Sequence, residues 1–393
     1  MEKNQISKRK LAGSIVLMAA VFIQIMLGWN EFSWYSKSAP YGTLIATVAL
    51  GITFLCYVDI KAALKDPVFY LMVATDAIAM LNLILVHSNY GAILVVVHFL
   101  LMLYLANKVV LTPKMVLLGS VFIGFFFFYW TFDVKGYFKG YNTNFGGLVL
   151  ITGFIFVILF CELLKEYLLY EKKSEYGNYI WILEVFFFTQ AFSIIEWYRS
   201  RCAMIGLFVL AVMLFIPKKI WKSRVLYFLL VLAVTAGSVL FTGLYSLLGA
   251  LRDRFQIQIF YKDILSGREE IWSELFAEFL KKPLTGIGSS YVIKVEWMDG
   301  MLEVHNGLLD LLIIHGAVVF IVACLLLISR LLRLQEGLCK DNVIRCAVAG
   351  IVTMLVTAFM ENYVIVPPFS LIFLLLFAVI NLRIRQGDSL KEV

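Results

Sequence analysis

A chain of 393 residues that is 62% hydrophobic and only 16% charged, with a mean hydropathy of +0.88, carries more apolar surface than a soluble protein of this size needs. Its apolar runs are continuous rather than alternating, which argues against a β-barrel and for a polytopic helical membrane protein. The net charge of +7 calls for no nucleic-acid partner, because basic residues at cytoplasmic headgroups account for it.

Twelve segments read as membrane spans, near 11–28, 41–58, 67–86, 91–107, 114–132, 146–169, 179–195, 201–216, 225–245, 306–329, 343–360 and 364–382. The first follows KNQISKRK with no cleavage signal, so it reads as a retained signal-anchor. With a cytoplasmic N-terminus, the inside segments hold 22 of the 34 Lys and Arg, the short outside loops 5, and the long loop 246–305 the other 7. Short loops decide orientation, so both termini are expected in the cytoplasm and the long loop outside. The six cysteines show no CxxC or Cys/His metal spacing. No internal repeat is evident. The chain therefore reads as one membrane domain, 1–393, with one structured outer loop.

Five ionisable residues fall inside the spans: Asp76, His98, Glu184, Asp310 and His315. A charge at a helix centre costs ~2.5–3.5 kcal/mol on insertion scales, so these are expected to face the bundle or water. They keep a transporter or lipid-linked oligosaccharide flippase open as an alternative. A transporter, however, tends to show two-fold repeats and mid-membrane polar sites.

The loop contains SGREEIWSELFAEFLKKPLTGIG. Ser266 and Glu269 have capping-box spacing, which predicts an amphipathic helix over about 267–282. Ile271, Trp272, Leu275, Phe276, Phe279 and Leu280 would share one face, with Glu270, Glu274, Glu278 and Lys281 opposite. Arg268 then lies in the first turn, where free N–H groups and the helix dipole favour an anion, phosphate above all. A solvated arginine at a helix start is the commoner alternative. The loop ends in EVHNGLLDLLIIHG, with His305 and Asn306 at the mouth of the tenth span. Asn306 is a candidate N-cap. A histidine beside a helix N-terminus is biased toward the neutral form and suits a base near pH 7. An interfacial histidine that merely anchors the chain is the alternative.

In order, R-x-x-x-W (Arg268–Trp272), P-L-x-G-I-G (Pro283–Gly288) and H-N-x-x-L-x-x-L-x-x-x-G (His305–Gly316) resemble the O-antigen ligase and polysaccharide polymerase family. Ser200-Arg201 in YRSRCAMIGL is similar to that family's S-R-small-small element, and Asn142 and Asn144 to its N-x-N element. Glu361, followed by Asn362, matches a family glutamate loosely. The resemblance covers about residues 140–375, and Asp310 and His315 depart from it.

The resemblance implies an all-α membrane fold of the multi-span (GT-C type) glycosyltransferase class. It also implies chemistry on undecaprenyl-diphosphate-linked glycans at the outer face of the cytoplasmic membrane. A polymerase joins repeat units into capsule, exopolysaccharide or O-antigen; a ligase passes the glycan to another acceptor. The leaving diphosphate gathers negative charge, which needs a cation. No convincing D-x-D lies outside, and arginine forks match phosphate oxygens. Metal and cofactor are therefore both expected to be none. Arg201 and Arg268 are expected to hold the diphosphate and His305 to act as base. Arg252, Arg254, Glu303, Asn306, Glu361 and Asn144 are supporting candidates. A flippase and a chain-length regulator are expected partners.

The charge asymmetry makes a direct prediction. In a cysteine-free background, K282C should react with a membrane-impermeant maleimide in intact cells while K65C does not. Equal labelling, or labelling at 65 alone, would overturn the orientation.

Overall fold

An apolar run in a bilayer has no water to satisfy its backbone, so it closes its hydrogen bonds internally as helix. The computed structural model describes residues 6–27, 41–130, 143–171, 174–251, 258–259, 262–263, 267–295 and 304–389. The longer helices are α1 (Lys8–Leu27), α2 (Gly42–Tyr57), α3 (Pro67–Leu85), α4 (Tyr90–Leu105), α5 (Pro113–Gly124), α6 (Thr143–Glu166), α7 (Ile180–Tyr198), α8 (Arg201–Phe215), α9 (Arg224–Val234), α10 (Gly237–Ala250), α11 (Arg268–Phe279), α12 (Gly307–His315), α13 (Ala317–Leu332), α14 (Asn342–Thr357) and α15 (Phe369–Ser389). A two-residue antiparallel pair, with Gln258 opposite Asp263 and Ile259 opposite Lys262, is the one non-helical element among the described residues.

Six single helices are long and apolar enough to cross a membrane, and the pair α9 and α10, bent by 58°, makes up to seven. The chain is thus a multi-pass membrane protein. Five further apolar helices, among them α4 and α14, have only 10–17 residues. At 1.5 Å per residue a 16-residue helix spans roughly 24 Å, short of a ~30 Å hydrocarbon core. Both α4 and α14 are largely buried within the bundle. At its centre, α15 buries an unbroken stretch from Leu371 to Ile380, packed on α14, which also meets α6 and α8. By contrast α3 and α7 turn large apolar side chains outward, such as Ile84 and Phe186. The ionisable span residues that make contacts turn inward. His98 bonds Ser370 Oγ at 2.7 Å, and Asp310 accepts from Asn362 at 2.6 Å.

The tenth apolar run departs from expectation. The sequence predicts one helix over 306–329; the structure breaks it at Gly316 (φ +90°) into α12 and α13. The P-L-x-G-I-G segment fills the break. Ile287 N–H donates to Ile313 O at 2.9 Å, Gly288 N–H to Ile314 O at 3.2 Å, and Ala317 N–H to Pro283 O at 2.8 Å. Asn82 of α3 donates to both Thr285 O and His315 O, at 3.0 and 3.3 Å. Carbonyls freed by the break are thus re-satisfied by the inserted loop, which is how broken helices survive in apolar surroundings. The loop continues onto the α3–α4 turn, where Ser289 N–H meets Ser88 Oγ at 3.2 Å and Asn89 N–H meets Ser289 Oγ at 2.8 Å.

Gly286 is obligatory here for two reasons. Its φ is +75°, and an added Cβ would stand 2.5 Å from Ile314 O. G286A should therefore lower the thermal midpoint of the detergent-solubilised protein sharply, since left-handed strain alone costs ~1–2 kcal/mol. G243A, with nothing within 4 Å of the new methyl, should leave it near wild type or above. Equal midpoints for the two would overturn the docking of this loop.

Candidate functional site

The site starts with α11. Ile271, Trp272, Leu275 and Phe279 are buried, Phe276 partly so, which is the amphipathic face the periodicity predicts. The ends differ from the sequence reading. The helix runs only over Arg268–Phe279, and Leu280, beyond it, is 72% exposed. The N-cap is Gly267 at φ +83°, with no side-chain cap bond, and Ser266 lies outside the described residues. The left-handed turn at Gly267 brings the chain in steeply, so Arg268 and Glu269 are buried rather than solvated. Glu269 packs against Gly249 of α10. Arg268 is therefore no solvated arginine at a helix start.

Residues i and i+4 of a helix share a face, and this explains R-x-x-x-W. Arg268 Nη2 donates to Glu361 Oε1 at 2.6 Å. One turn on, Trp272 Nε1 donates to Val304 O at 2.7 Å, which fixes the residue before His305. His305 Nδ1 then faces Glu361 Oε2 at 3.4 Å. One carboxylate thus sits between the arginine and the histidine. The three side chains are 10%, 12% and 17% exposed, in the order Arg268, Glu361, His305, so the cluster is largely shielded yet reachable. With the carboxylate taking the Nδ1 proton, the imidazole lone pair resides on Nε2, the tautomer a general base needs. A guanidinium carries five N–H donors, so one carboxylate oxygen does not exhaust Arg268.

His305 has φ +53°, a left-handed conformation a non-glycine residue adopts at a cost of ~1–2 kcal/mol. Such strain concentrates at functional positions. Asn306 is extended and buried, and its Oδ1 accepts from Leu309 N–H at 3.0 Å, the N-cap role its type suggested. Gly307 N–H donates to Ala358 O at 3.0 Å, which ties the start of α12 to the turn bearing Glu361.

Arg201 opens α8. Ser200 caps that helix through Ala203 N–H at 3.4 Å. Gly147 of α6 packs so closely there that an added Cβ would lie 2.2 Å from Ser200 Oγ. The chain segments carrying the N-x-N and S-R elements are thereby neighbours. Cys202, next to Arg201, touches Thr357 O at 3.5 Å, four residues before Glu361.

Arg252, Arg254, Glu303 and Asn142 lie outside the described residues, as do Glu296, Trp297 and Asp299. Asn144 stands in the first turn of α6, its side chain outside the description. Tyr291 donates to Glu274 Oε1 at 2.7 Å. Burial, with the Glu274 bond, pushes its phenol upward, so this aromatic is tied to α11. Two features escape sequence reading: the bridging position of Glu361, and the pairing of Asp310 with Asn362. They join residues 52 to 93 positions apart, beyond any local spacing rule. The loose match of Glu361 to a family glutamate is the signal the sequence carries.

Residues 186–324 match the family model described as O-antigen ligase. The matched stretch runs from within α7 to within α13 and contains Arg201, Arg268, the P-L-x-G-I-G loop and His305, while Glu361 lies beyond it. No curated protein and no solved structure matches the chain. The family match, on the segment that carries the arginine and histidine motifs, makes that part of the chain similar to the O-antigen ligase family.

Proposed function

We propose that the protein polymerises undecaprenyl-diphosphate-linked oligosaccharide repeat units at the outer face of the cytoplasmic membrane, by glycosyl transfer without a metal. In this reading all twelve apolar runs cross the bilayer and the segment 246–305 is extracytoplasmic. One observation carries the proposal: Arg268 and His305 meet on the single carboxylate of Glu361. Arg268, with Arg201, takes the diphosphate of the donor. The acceptor hydroxyl gives its proton to His305 Nε2 as its oxygen bonds to the sugar C1. The C1–phosphate-oxygen bond breaks, and the diphosphate leaves with the electron pair. Glu361 stabilises the imidazolium that forms. Arginines supply the charge stabilisation, because their forks match phosphate oxygens and stay protonated.

Ligation of the glycan to a separate acceptor is the second reading, favoured by the description of the matching family. The broken helix at Gly316 is the feature a transporter would share. Here the loop N–H groups take the Ile313 and Ile314 carbonyls, which in a transporter would face the ion.

Purified protein supplied with lipid-linked repeat units decides between these. A ladder of lipid-linked polymer is expected. Transfer only to an added lipid acceptor would make the protein a ligase, and movement of donor without transfer would make it a flippase. H305A should bind donor normally and lose on the order of 10²–10⁴ in rate. R268K should lose roughly 10- to 100-fold, as one charged hydrogen bond fewer implies. EDTA should leave the rate unchanged. Wild-type turnover in H305A would move the base elsewhere, and joint loss of binding and turnover would make His305 a ligand-positioning residue.

A further inference from the structure

Asp310 is a departure from the family pattern and an expensive one. It is a carboxyl group in the first turn of α12, inside an apolar run, where ionisable side chains mark function by default. Its carboxylate accepts a 2.6 Å hydrogen bond from Asn362 Nδ2. Asn362 is the residue after Glu361. We propose that Asp310 is a positioning residue for the transfer reaction, holding Glu361 against His305 through Asn362. The inference rests on the reading of the site as a glycosyltransferase centre.

The geometry sets out what the tie does. The two contacts of Glu361 are unequal: 2.6 Å to Arg268 and 3.4 Å to His305. The first is a short ion pair that holds itself. The second is at the limit of a hydrogen bond, so it depends on where the backbone of the 358–363 turn lies. Left to the ion pair, the carboxylate would be drawn toward α11 and away from the imidazole. Two bonds oppose this by fastening the turn to α12, the helix that begins just after His305. One is Gly307 N–H to Ala358 O at 3.0 Å, the other Asn362 to Asp310. The backbone bond lies before Glu361 and the side-chain bond directly after it. Glu361 is thus fastened on both flanks to the element that carries the base.

The alternative is that Asp310 acts by its own charge or takes the proton itself. The variants D310A, D310N and N362A separate the two. Asparagine at 310 keeps an oxygen to accept from Asn362 but removes the charge. The test uses full-length protein in nanodiscs with undecaprenyl-diphosphate-linked repeat unit as donor. It measures kcat, donor Kd, and hydrogen exchange over 304–310 and 358–363. D310A and N362A should lose on the order of 10- to 100-fold in kcat, as a small misplacement of a catalytic group does, with donor Kd unchanged. D310N should turn over near the wild-type rate. D310A added to E361Q should cost nothing further. Exchange should quicken in D310A and N362A and not in D310N. Wild-type kcat in D310A, a D310N as impaired as D310A, or a donor Kd that worsens in step with kcat would each overturn the assignment. Absence of turnover in the wild type would instead sink the glycosyltransferase reading. Exchange then decides the tie alone: quickening in D310A and N362A but not D310N upholds it, and unchanged exchange overturns it.

Discussion

Everything at this site depends on one shielded carboxylate. Glu361 is shared by a guanidinium on α11 and an imidazole just before α12, and neither partner is near it in sequence. A buried ion pair adds little net stability against an apolar substitute. Removing one member, though, strands the other charge at a cost of ~3–5 kcal/mol. The pair is better understood as fixing geometry. It sets the orientation of a strong cation and of an imidazole about one point, in a place where charge on a ligand would be poorly screened by water.

A second constraint supports the first. The half-helix α12 carries His305 at its start and ends at the Gly316 break, where the P-L-x-G-I-G loop takes over the hydrogen bonding. Because the same loop follows α11, the arginine-bearing helix and the histidine-bearing helix are joined through one docked turn. Trp272 closes the other end by holding Val304. The three motif blocks that read as separate pieces along the chain are thus parts of a single hydrogen-bonded frame.

Much of this was legible from the residues. Apolar runs located helices for all twelve segments where these are described, since a bilayer leaves the backbone little choice. Periodicity found the buried face of α11, and Asn306 was readable as a cap because its side chain mimics a backbone acceptor. The failures were of another kind. Gly316 was legible as the last residue of a motif but not as a helix break, because the break is stabilised by a loop more than twenty residues earlier. The spacing of Ser266 and Glu269 located the start of α11 to within a residue, but not the burial of Glu269 against Gly249. Glu361 stood out only weakly, since nothing in its neighbourhood announces a partner at 268 or 305. Helix length is a separate matter: an apolar run can form a helix shorter than the hydrocarbon core when it packs within the bundle.

The pinned ends of the segment before His305 carry an evolutionary consequence. Lys294 N–H is held by Glu274 at 2.9 Å and Val304 by Trp272 at 2.7 Å, so the chain between these points enters and leaves at fixed places. Closing a longer loop costs little, about 0.6 kcal/mol for each doubling of its length. Insertions and wholesale sequence replacement between 295 and 303 can therefore accumulate without shifting His305 relative to Arg268. The length of this segment is thereby decoupled from the spacing of His305 and Arg268, so change there and change at the carboxylate cluster are separate events.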